Sequence, residues 1–424
     1  MLDMKFIIEH AKSLKDTLKK RYLADKIWMV DELVNDHQFW KKLKFENDNL
    51  RHERNKISKD INQLRKGKKD ASKEIKRAKQ IPMKIKDNEE QMGLLAEKIK
   101  EKIKQMPNIL QSGVPKGKDE SKNPEIRTWG KTPKFSFPVK NHAELVEGLG
   151  IADFDAGRIA AGKGFNYVKN ELAWLDVALR RYGIDFLMGK GFEFVIPPMM
   201  LNRKSLGGAV NLTDFEDVIY KVENEDLYLI GTAEHALIAM MQNKTLKKKD
   251  LPLRTCAFTP CFRKEIGSSG VDTKGLFRMH QFNKVEQVVF CEPEQSDKIL
   301  EELQKISEKF FQSLKIPYRV VEICSGDLGP KLAKQYDIEA WFPRQKAYRE
   351  VTSAGNCTDY QARTLNIQYE DKGEKKYVHI LNNTMVATSR AMVAILEHYQ
   401  QKDGSIKVPT VLQKYTGFKV IKKK

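Results

Sequence analysis

Hydrophobic residues recur at seven-residue intervals in two successive stretches of the N-terminal quarter of the chain. A Lys-rich segment that contains Gly67 separates the two stretches. Such a period is typical of helices that pack along one seam, so it predicts an antiparallel helical hairpin, a coiled coil that folds back on itself. About 34 residues per helix give an arm roughly 50 Å long, and Pro82 should kink the returning helix. The periodic positions are Leu43, Leu50, Ile57 and Leu64, then Ala78, Ile85, Met92, Ile99 and Met106.

The rest of the chain carries short strand-like runs that alternate with helical patterns. The strand-like runs are Phe192–Ile196, Leu227–Ile230, Lys284–Phe290, Tyr318–Val321 and Tyr377–Ile380. The helical patterns are Lys169–Tyr182, Glu234–Gln242, Asp297–Leu314 and Thr388–Gln400. No Gly-x-Gly-x-x-Gly or Walker loop accompanies them, which disfavours a doubly wound nucleotide-binding fold. We therefore predict an α+β fold with an antiparallel sheet.

A segment rich in Pro, Gly, Ser and Lys separates the two compositions and is typical of a linker. The chain of 424 residues is also too long for one ordinary domain. We predict a helical domain over residues 1–110, a linker over 111–138 and an α+β domain over 139–424.

Positive charge is concentrated on the predicted hairpin. The chain has a formal net charge of +19, and residues 41–86 hold 17 Lys and Arg against 6 Asp and Glu, a net of +11. A coiled coil usually mixes both signs at its outer positions, so this bias favours a rod that follows phosphates. A solvated dimerisation hairpin is the alternative.

The composition indicates in which cellular compartment the protein is expected. No stretch of 18 or more apolar residues is present, which disfavours a membrane-bound protein, and the first residues lack the apolar run of a signal peptide. The five cysteines are odd in number and show no zinc-finger spacing, so reduced structural thiols are expected. We expect a cytoplasmic protein.

The most informative motif consists of two short charged strands on either side of a polar loop. Phe262–Glu265 leads into the loop 267–275, and Arg278–Glu286 follows it. Arg263 and Arg278 could each clamp a phosphate bidentately, and the Phe282 ring later in this motif could stack on a base. An isolated Arg-x-Glu is usually a surface ion pair, but the long pattern around it favours a nucleotide site.

Three further segments carry candidate chemistry. Leu381–Arg390 ends with an Arg in the first turn of a helix, where a cation opposes the helix dipole, so either a phosphate or a nearby carboxylate should compensate it. Gly231–His235 places Thr232 at a helix N-cap. Capping of the helix is also the simplest explanation of this segment without any ligand. Arg349–Ser353 puts a carboxylate and a hydroxyl three residues apart, where they could share Mg²⁺ with phosphates.

These segments resemble the signature motifs of class II aminoacyl-tRNA synthetases. Phe262–Glu265 with Arg278–Phe282 is similar to motif 2, Asn382–Arg390 to motif 3 and Lys190–Pro198 to motif 1. Other segments resemble the seryl-tRNA synthetase family in particular and extend the likeness over nearly the whole chain. They are Gly275–Phe282, Thr232–Glu234, Tyr360–Arg363, Val114–Ser121 and the basic hairpin.

The resemblance implies a fold, a reaction and partners. The fold is a coiled-coil arm followed by a class II catalytic domain, an antiparallel sheet surrounded by helices. The reaction is activation of L-serine by ATP with Mg²⁺, then transfer to tRNA-Ser, with tRNA-Sec as a further candidate substrate. The coiled coil grips the long variable arm of the tRNA. A homodimer forms through motif 1. No zinc is expected, since the arm and Thr232–Glu234 are those of the ordinary form of the family.

The resemblance also implies roles for individual side chains. Arg263, Arg278, Arg390 and Glu350 are the implied catalytic set. The implied ATP-binding residues are Arg263, Lys264, Glu265, Arg278, Met279, Phe282, Glu350, Val351, Thr352, Ser353 and Arg390, with Glu350 and Ser353 on Mg²⁺. The implied serine-binding residues are Thr232, Ala233, Glu234, Arg263, Glu286, Asn382 and Thr384.

Two alternatives remain beside this hypothesis. One is a class II synthetase for another small amino acid, and the other is a non-catalytic paralogue that binds RNA. The chain also departs from the family's usual residues at Lys264, Thr352 and Ala354. These three positions flank the charged residues of the motifs and do not replace them.

Overall fold

A computed structural model describes residues 1–210, 217–265 and 275–423. By its contacts the chain forms two compact units. One unit is Leu2–Pro107, and the other contains Met1 and residues 108–424. Each is described separately below.

The N-terminal unit is helical. Two short helices, α1 (Met4–Glu9) and α2 (Ala11–Lys20), precede two long ones, α3 (Ile27–Lys66) and α4 (Ser72–Lys104). Helix α4 is one continuous helix that contains Pro82. The long antiparallel pair confirms the hairpin that the seven-residue period predicts.

The seam between α3 and α4 is apolar and narrow. Leu50, Ile57, Ile81 and Ile85 form its buried cluster, with Ile61 and Ala78 packed against it. Ion pairs border the seam, including Arg77 Nε to Glu53 Oε1 at 2.7 Å and Arg51 Nη2 to Glu89 Oε1 at 2.8 Å. Most of the Lys side chains over 41–86 are exposed, so the positive charge of the hairpin faces solvent.

One buried polar pair interrupts the seam. The Asn88 amide donates to Asn47 Oδ1 at 2.9 Å, and the Asn47 amide donates to the Ile85 carbonyl at 3.4 Å. A buried Asn pair aligns two helices, because any other register leaves the amides without partners.

We expect Asn47→Leu alone to lower the free energy of unfolding of the hairpin by about 1–3 kcal/mol, because it removes the acceptor of a buried amide. The double change Asn47→Leu with Asn88→Leu should recover that loss, since both polar groups then leave the seam. Urea unfolding followed by circular dichroism measures both, with exposed Arg51→Ala as a control that should change little. An equal loss in the single and double variants would show that the pair does not align the helices.

The second unit contains nine α-helices within the residues described. They are α5 (His142–Leu149), α6 (Phe154–Ala161), α7 (Asn170–Met188), α8 (Arg203–Ala209), α9 (Ala233–Ala239), α10 (Ser296–Ser313), α11 (Tyr360–Leu365), α12 (Thr388–Tyr399) and α13 (Gln413–Thr416). Short 3-10 turns occur between some of the elements.

An eight-stranded sheet forms the centre of this unit, and smaller sheets flank it. The strands are β1 (Glu125–Trp129), β2 (Ala152–Asp153), β3 (Tyr167–Val168), β4 (Glu193–Val195), β5 (Met200–Leu201), β6 (Tyr228–Leu229), β7 (Thr245–Lys247), β8 (Leu253–Phe262), β9 (Gln281–Cys291), β10 (Tyr318–Glu322), β11 (Lys334–Phe342), β12 (Ala347–Asn356), β13 (Gln368–Asp371), β14 (Glu374–Tyr377), β15 (His379–Ala387), β16 (Ile406–Lys407) and β17 (Val420–Ile421). The large sheet has the order β1-β10-β11-β12-β15-β9-β8-β4. Its neighbours pair antiparallel except β4 with β8, which confirms the predicted α+β fold.

Helices cover the central strands. Helix α7 contacts β8, β9 and β15, α12 contacts β9, β11 and β15, and α10 contacts β12 and β15. Strand β15 is therefore almost wholly buried along its length. This burial holds the polar residues of β9 and β15 in fixed positions, since those strands have no room to shift.

The cysteine side chains are all in the interior of the protein. All five cysteines are buried free thiols, as predicted, and burial raises the pKa of Cys256, Cys291 and Cys357 to about 12. None of the helices that the structure describes is long and apolar enough to cross a membrane.

Candidate active site

A cavity of about 490 Å³ opens among the central strands of the large sheet. Residues of β9, β11, β12 and β15 line it, together with Arg263 and Glu265 just after β8, the starts of α9 and α12 and the segment 329–332. Five of these elements, β9, β12, β15, α9 and α12, carry the segments singled out in the sequence. Fifteen of the predicted site residues lie in its wall: Thr232, Glu234, Arg263, Glu265, Arg278, Met279, Phe282, Glu286, Glu350, Val351, Thr352, Ser353, Asn382, Thr384 and Arg390.

Two predicted site residues are not in this wall. The Lys264 amide donates to the Val218 carbonyl at 2.8 Å, and its ammonium lies 5.9 Å from the centre of the Tyr220 ring. Ala233 is fully buried in a core cluster behind the cavity with Leu237 and Val288. Any contact of these two residues with a ligand would be through their backbone or after a movement.

Arg263 and Phe282 form one wall of the cavity. The guanidinium of Arg263 lies 5.5 Å from the centre of the Phe282 ring, and its Nε donates to the Gly231 carbonyl at 3.1 Å. The two residues are brought together because β8 and β9 are neighbours, with Phe282 opposite Cys261 in the register. A cation at this distance from an aromatic ring is attracted to it, so the ring helps to hold Arg263 in the cavity wall.

The two ends of the motif 2 loop meet at Glu265 and Arg278, whose charged groups are 4.0 Å apart. Glu265 has a left-handed backbone with φ of 47°, a conformation that a non-glycine residue keeps only when its surroundings enforce it. Most of the polar loop, residues 266–274, lies outside the part of the chain that the structure describes.

His142 holds the returning end of that loop. The Leu276 amide donates to His142 Nε2 at 3.1 Å, and His142 Nδ1 faces Glu397 Oε1 at 3.6 Å. Gly275 has φ of +127°, and a Cβ there would lie 2.1 Å from His142 Nε2. The glycine therefore allows the close approach that fixes the backbone just before Arg278.

Arg390 pairs with Glu350 across the cavity. Its Nη1 lies 3.1 Å from Glu350 Oε2 and donates to the Glu350 carbonyl at 2.9 Å, and its guanidinium lies 5.1 Å from the centre of the Phe277 ring. The sequence left open whether a phosphate or a carboxylate compensates this Arg at the start of α12. The structure shows a carboxylate, and that carboxylate belongs to the candidate site itself.

Oxygen donors cluster beside Glu350 on β12. The Gln335 amide bridges Asp337 Oδ1 at 2.8 Å and Ser353 Oγ at 2.9 Å. Burial, and then the nearby Glu350 carboxylate, raise the pKa of Asp337 well above its usual range. This carboxylate and hydroxyl set suits a hard cation that binds oxygen. No group of three or more His, Cys, Asp or Glu placed to hold a metal occurs in residues 1–210, 217–265 and 275–423.

A buried polar triad lies at the other end of the cavity. Thr384 Oγ1 donates to Glu286 Oε1 at 3.1 Å, and the Lys284 ammonium contacts Glu286 Oε2 at 2.7 Å and Thr384 Oγ1 at 3.1 Å. Thr384 stands directly opposite Glu286 in the β15–β9 register, beside an irregularity at Met385. The pairing of two strands thus places a carboxylate, a hydroxyl and an ammonium at one point.

Glu234 adds a second buried carboxylate. Thr232 caps α9 as predicted, with its hydroxyl accepting from the Glu234 amide at 3.4 Å. Glu234 Oε1 accepts from Lys331 Nζ at 2.5 Å and from the Gln361 amide at 2.9 Å. Although burial alone would raise it, the Lys331 charge lowers the pKa of Glu234 to about 2. Burial lowers the pKa of the neighbouring His235 to about 3.

Sequence reasoning missed several side chains of this site. Lys284 lies inside the motif 2 segment, and its position next to a predicted pocket residue was an available signal. Phe277 lies within the family-like segment Gly275–Phe282, although no role was predicted for it. Lys331 and Gln335 belong to segments without a recognised role, and only the tertiary fold brings them to the cavity.

Comparison with known proteins gives the site a family context. Residues 1–110 match the family model described as "Seryl-tRNA synthetase N-terminal domain". Residues 219–399 match "tRNA synthetase class II core domain (G, H, P, S and T)". Curated relatives named serine–tRNA ligase come from Methanospirillum hungatei, 47% identical over 99% of both chains, and Pyrococcus horikoshii, 47% identical over 99% of this chain and 97% of its own.

Solved structures agree with these relatives. A seryl-tRNA synthetase from Pyrococcus horikoshii complexed with ATP covers 100% of both chains at 46% identity with a TM-score of 0.95. A cytoplasmic serine-tRNA ligase from Naegleria fowleri in complex with AMP covers 100% of this chain and 99% of its own at 30% identity with a TM-score of 0.89. A resemblance to the seryl family, first suggested by the motifs, is thereby confirmed, and the chain belongs to the seryl-tRNA synthetase family of class II aminoacyl-tRNA synthetases.

Proposed function

We propose that this chain activates L-serine with ATP to seryl-adenylate and transfers the seryl group to the 3′-hydroxyl of the terminal adenosine of tRNA-Ser. The observation that carries the proposal is that one cavity joins an end rich in Arg and aromatic groups to an end with two buried carboxylates and a hydroxyl. The first end suits a nucleotide triphosphate, and the second suits a small polar amino acid.

At the nucleotide end, Arg263 would hold the α-phosphate while adenine stacks on Phe282. Glu265 would accept from the adenine amino group near the backbone of Met279, and Arg278 and Arg390 would take the terminal phosphates. The contact of Arg263 with the Phe282 ring supports this division, since one ring can position both the base and the cation.

Mg²⁺ would be held by Glu350 and Ser353, next to Val351 and Thr352 in the wall. The oxygen-only donors fit this cation, which needs one or two protein ligands when phosphates supply others. When bound, it neutralises charge on the phosphates. Glu350 would then exchange its contact with Arg390 for the cation, which leaves Arg390 available to a phosphate.

At the other end, Glu234 would bind the ammonium of serine and Glu286 with Thr384 would bind its hydroxyl. Asn382 and Arg263 also line the cavity and would orient the carboxylate. The carboxylate attacks the α-phosphorus in line and releases pyrophosphate. The adenosine 3′-hydroxyl then attacks the carbonyl of seryl-adenylate, loses its proton and displaces AMP. No side chain becomes covalently modified, so catalysis relies on positioning and charge neutralisation.

The proposed partners extend beyond the cavity. The basic hairpin would bind the long variable arm of tRNA-Ser largely through the RNA backbone and shape. The tRNA for selenocysteine, tRNA-Sec, is a second candidate for the same contact. A homodimer would form through motif 1, where Ile196 is 79% exposed; Met199 and Met200, which follow the motif directly, are also exposed. We further propose a cytoplasmic location. We also propose that residues 1–110 form the tRNA-binding domain, 111–138 the linker and 139–424 the catalytic domain.

Aminoacylation of a tRNA pool with labelled serine tests the proposal directly. Pyrophosphate exchange with each amino acid separately tests the alternative of another small substrate. A folded protein that binds tRNA but activates no amino acid would favour the non-catalytic paralogue.

Thr384→Val should lower serine activation by roughly tenfold or more, about 1.4 kcal/mol per tenfold. The substitution keeps the shape but removes the hydroxyl that bonds to Glu286 and Lys284. Activation of alanine, which has no hydroxyl to bind, should change little, and threonine should stay excluded by space. Thr384→Ser retains the hydroxyl and serves as the matched control. Exchange rates with all three amino acids give the answer, and an unchanged serine-to-alanine ratio would remove Thr384 from hydroxyl recognition.

A further inference from the structure

The Glu234 carboxylate already has a cationic partner within the chain. Lys331 Nζ lies 2.5 Å from Glu234 Oε1, and the Gln361 amide donates to the same oxygen from 2.9 Å. The Glu234 side chain is 6% exposed, whereas that of Lys331 is 22% exposed and forms part of the cavity wall. The pair therefore borders the space that a ligand would enter.

Each buried carboxylate at this end of the cavity is matched by its own lysine. Lys284 lies 2.7 Å from Glu286, as Lys331 lies beside Glu234. The two pairs differ in setting. Lys284 projects from the buried strand β9 and also bonds to Thr384, while Lys331 follows Gly329 and Pro330 in the segment before β11. Its flexible stem and partial exposure allow its ammonium to withdraw without a change in the sheet.

An incoming amino acid carries an ammonium of its own. The proposed function places that ammonium on Glu234, and the present inference rests on this placement. A second ammonium beside Glu234 would be repelled by that of Lys331, and the buried setting screens this repulsion little. Glu234 Oε1 also accepts from the Gln361 amide already. Binding of serine therefore favours withdrawal of the Lys331 ammonium.

We propose that Lys331 is a resident cation in the ammonium subsite, which serine displaces when it binds. Before serine binds, Lys331 keeps a buried carboxylate paired and in place, since an unpaired one would be strongly destabilising. The same contact weakens serine binding, because the substrate must first separate an existing ion pair. Only a ligand that carries a cation can replace Lys331 as the partner of Glu234. An analogue of serine without an ammonium therefore obtains no binding affinity from Glu234.

Lys331→Met tests this by removing the resident cation while keeping a flexible side chain of similar length. We expect the KM for serine in pyrophosphate exchange to fall by about tenfold or more, since leaving a buried carboxylate unpaired costs several kcal/mol and the substrate ammonium then relieves it. Lys331→Arg should restore the competition and give a KM near that of the parent chain. Exchange is measured at alkaline pH, because loss of Lys331 should raise the pKa of Glu234 and a protonated carboxyl would not attract an ammonium.

Thermal unfolding of the same variants provides a second readout. Without ligand, Lys331→Met should melt below the parent chain, and the rise in melting temperature on adding serine should be larger than in the parent. L-glycerate, in which a hydroxyl replaces the ammonium, should not produce that larger rise. Lys334→Met is the control, because Lys334 pairs with Glu322 at 3.3 Å and does not line the cavity.

Three outcomes separate the inference from the function on which it rests. An unchanged or raised serine KM in Lys331→Met, with Glu234→Gln still impairing serine binding, would overturn the displacement alone. An unaffected serine KM in Glu234→Gln would overturn the placement of the ammonium, and with it the inference. No serine-dependent exchange by the parent chain would overturn the proposed function itself.

Discussion

Shortening the basic hairpin is expected to abolish tRNA charging and to leave serine-dependent pyrophosphate exchange close to that of the full chain. The deletion removes residues 41–93 and joins the two stumps by a short glycine loop. It keeps the ion pairs at the hairpin base, including Lys102 Nζ to Glu32 Oε2 at 2.6 Å and Lys98 Nζ to Glu32 Oε1 at 2.7 Å. Every residue that lines the cavity belongs to the other unit, so adenylate formation should not need the removed segment.

A milder variant distinguishes loss of RNA contacts from loss of structure. Replacing the exposed Lys68, Lys69 and Lys73 by Gln keeps the apolar seam and removes three positive charges. Charging should weaken, and its dependence on salt concentration should become shallower, because fewer counterions are released from the RNA. If a folded deletion variant loses exchange and charging equally, or loses neither, the hairpin does not have the role proposed for it.

The hairpin could be predicted from the sequence because its packing is local and periodic. Leu43, Leu50 and Ile57 are buried at their predicted positions, as are Ile85 and Ile99 on the returning helix. The same period could not reveal the Asn47–Asn88 pair, since the matching of the two helices depends on the length of the turn between them. Residues near the tip, such as Leu64, are only partly buried, because the seam ends there.

The candidate site could be predicted in its residue types but not in its contacts. Resemblance to a family supplied Glu286 and Thr384, yet their 3.1 Å hydrogen bond exists because β15 lies beside β9 and the register sets one opposite the other. The Arg390–Glu350 pair likewise joins a helix start to a neighbouring strand. Lys331 lies outside every recognised motif, so only the fold could reveal it beside Glu234.

The sequence predicted most strands but not all of their limits. The run Tyr377–Ile380 was predicted as one strand, whereas the structure divides it at Val378 between β14 and β15. The sequence pattern hides this break, because Val378 between the two strands and Ile380 in β15 are both fully buried. The other predicted runs, such as Lys284–Phe290 within β9, correspond to observed strands.

Arg390→Ala and Glu350→Ala should each lower adenylate formation by roughly a hundredfold or more, since a contact that strengthens in the transition state contributes several kcal/mol. Raised Mg²⁺ should partly rescue Glu350→Ala, which loses affinity for the cation, and should not rescue Arg390→Ala, which loses a phosphate contact. Arg390→Lys keeps the charge without the planar fork and should recover only part of the rate. Pre-steady-state adenylate formation at several Mg²⁺ concentrations measures these effects, with circular dichroism to establish that each variant is folded.

The double variant separates this hypothesis from a purely structural ion pair. If Arg390 and Glu350 served only each other across their 3.1 Å contact, removing both would be no worse than removing one, and added Mg²⁺ would change neither single variant. If each binds a different part of the nucleotide complex, the double variant should be slower than either single variant. In that case Mg²⁺ should rescue it less than it rescues Glu350→Ala, because the phosphate contact is still missing. Near-normal exchange in any of these proteins would show that the terminal phosphates lie elsewhere in the cavity.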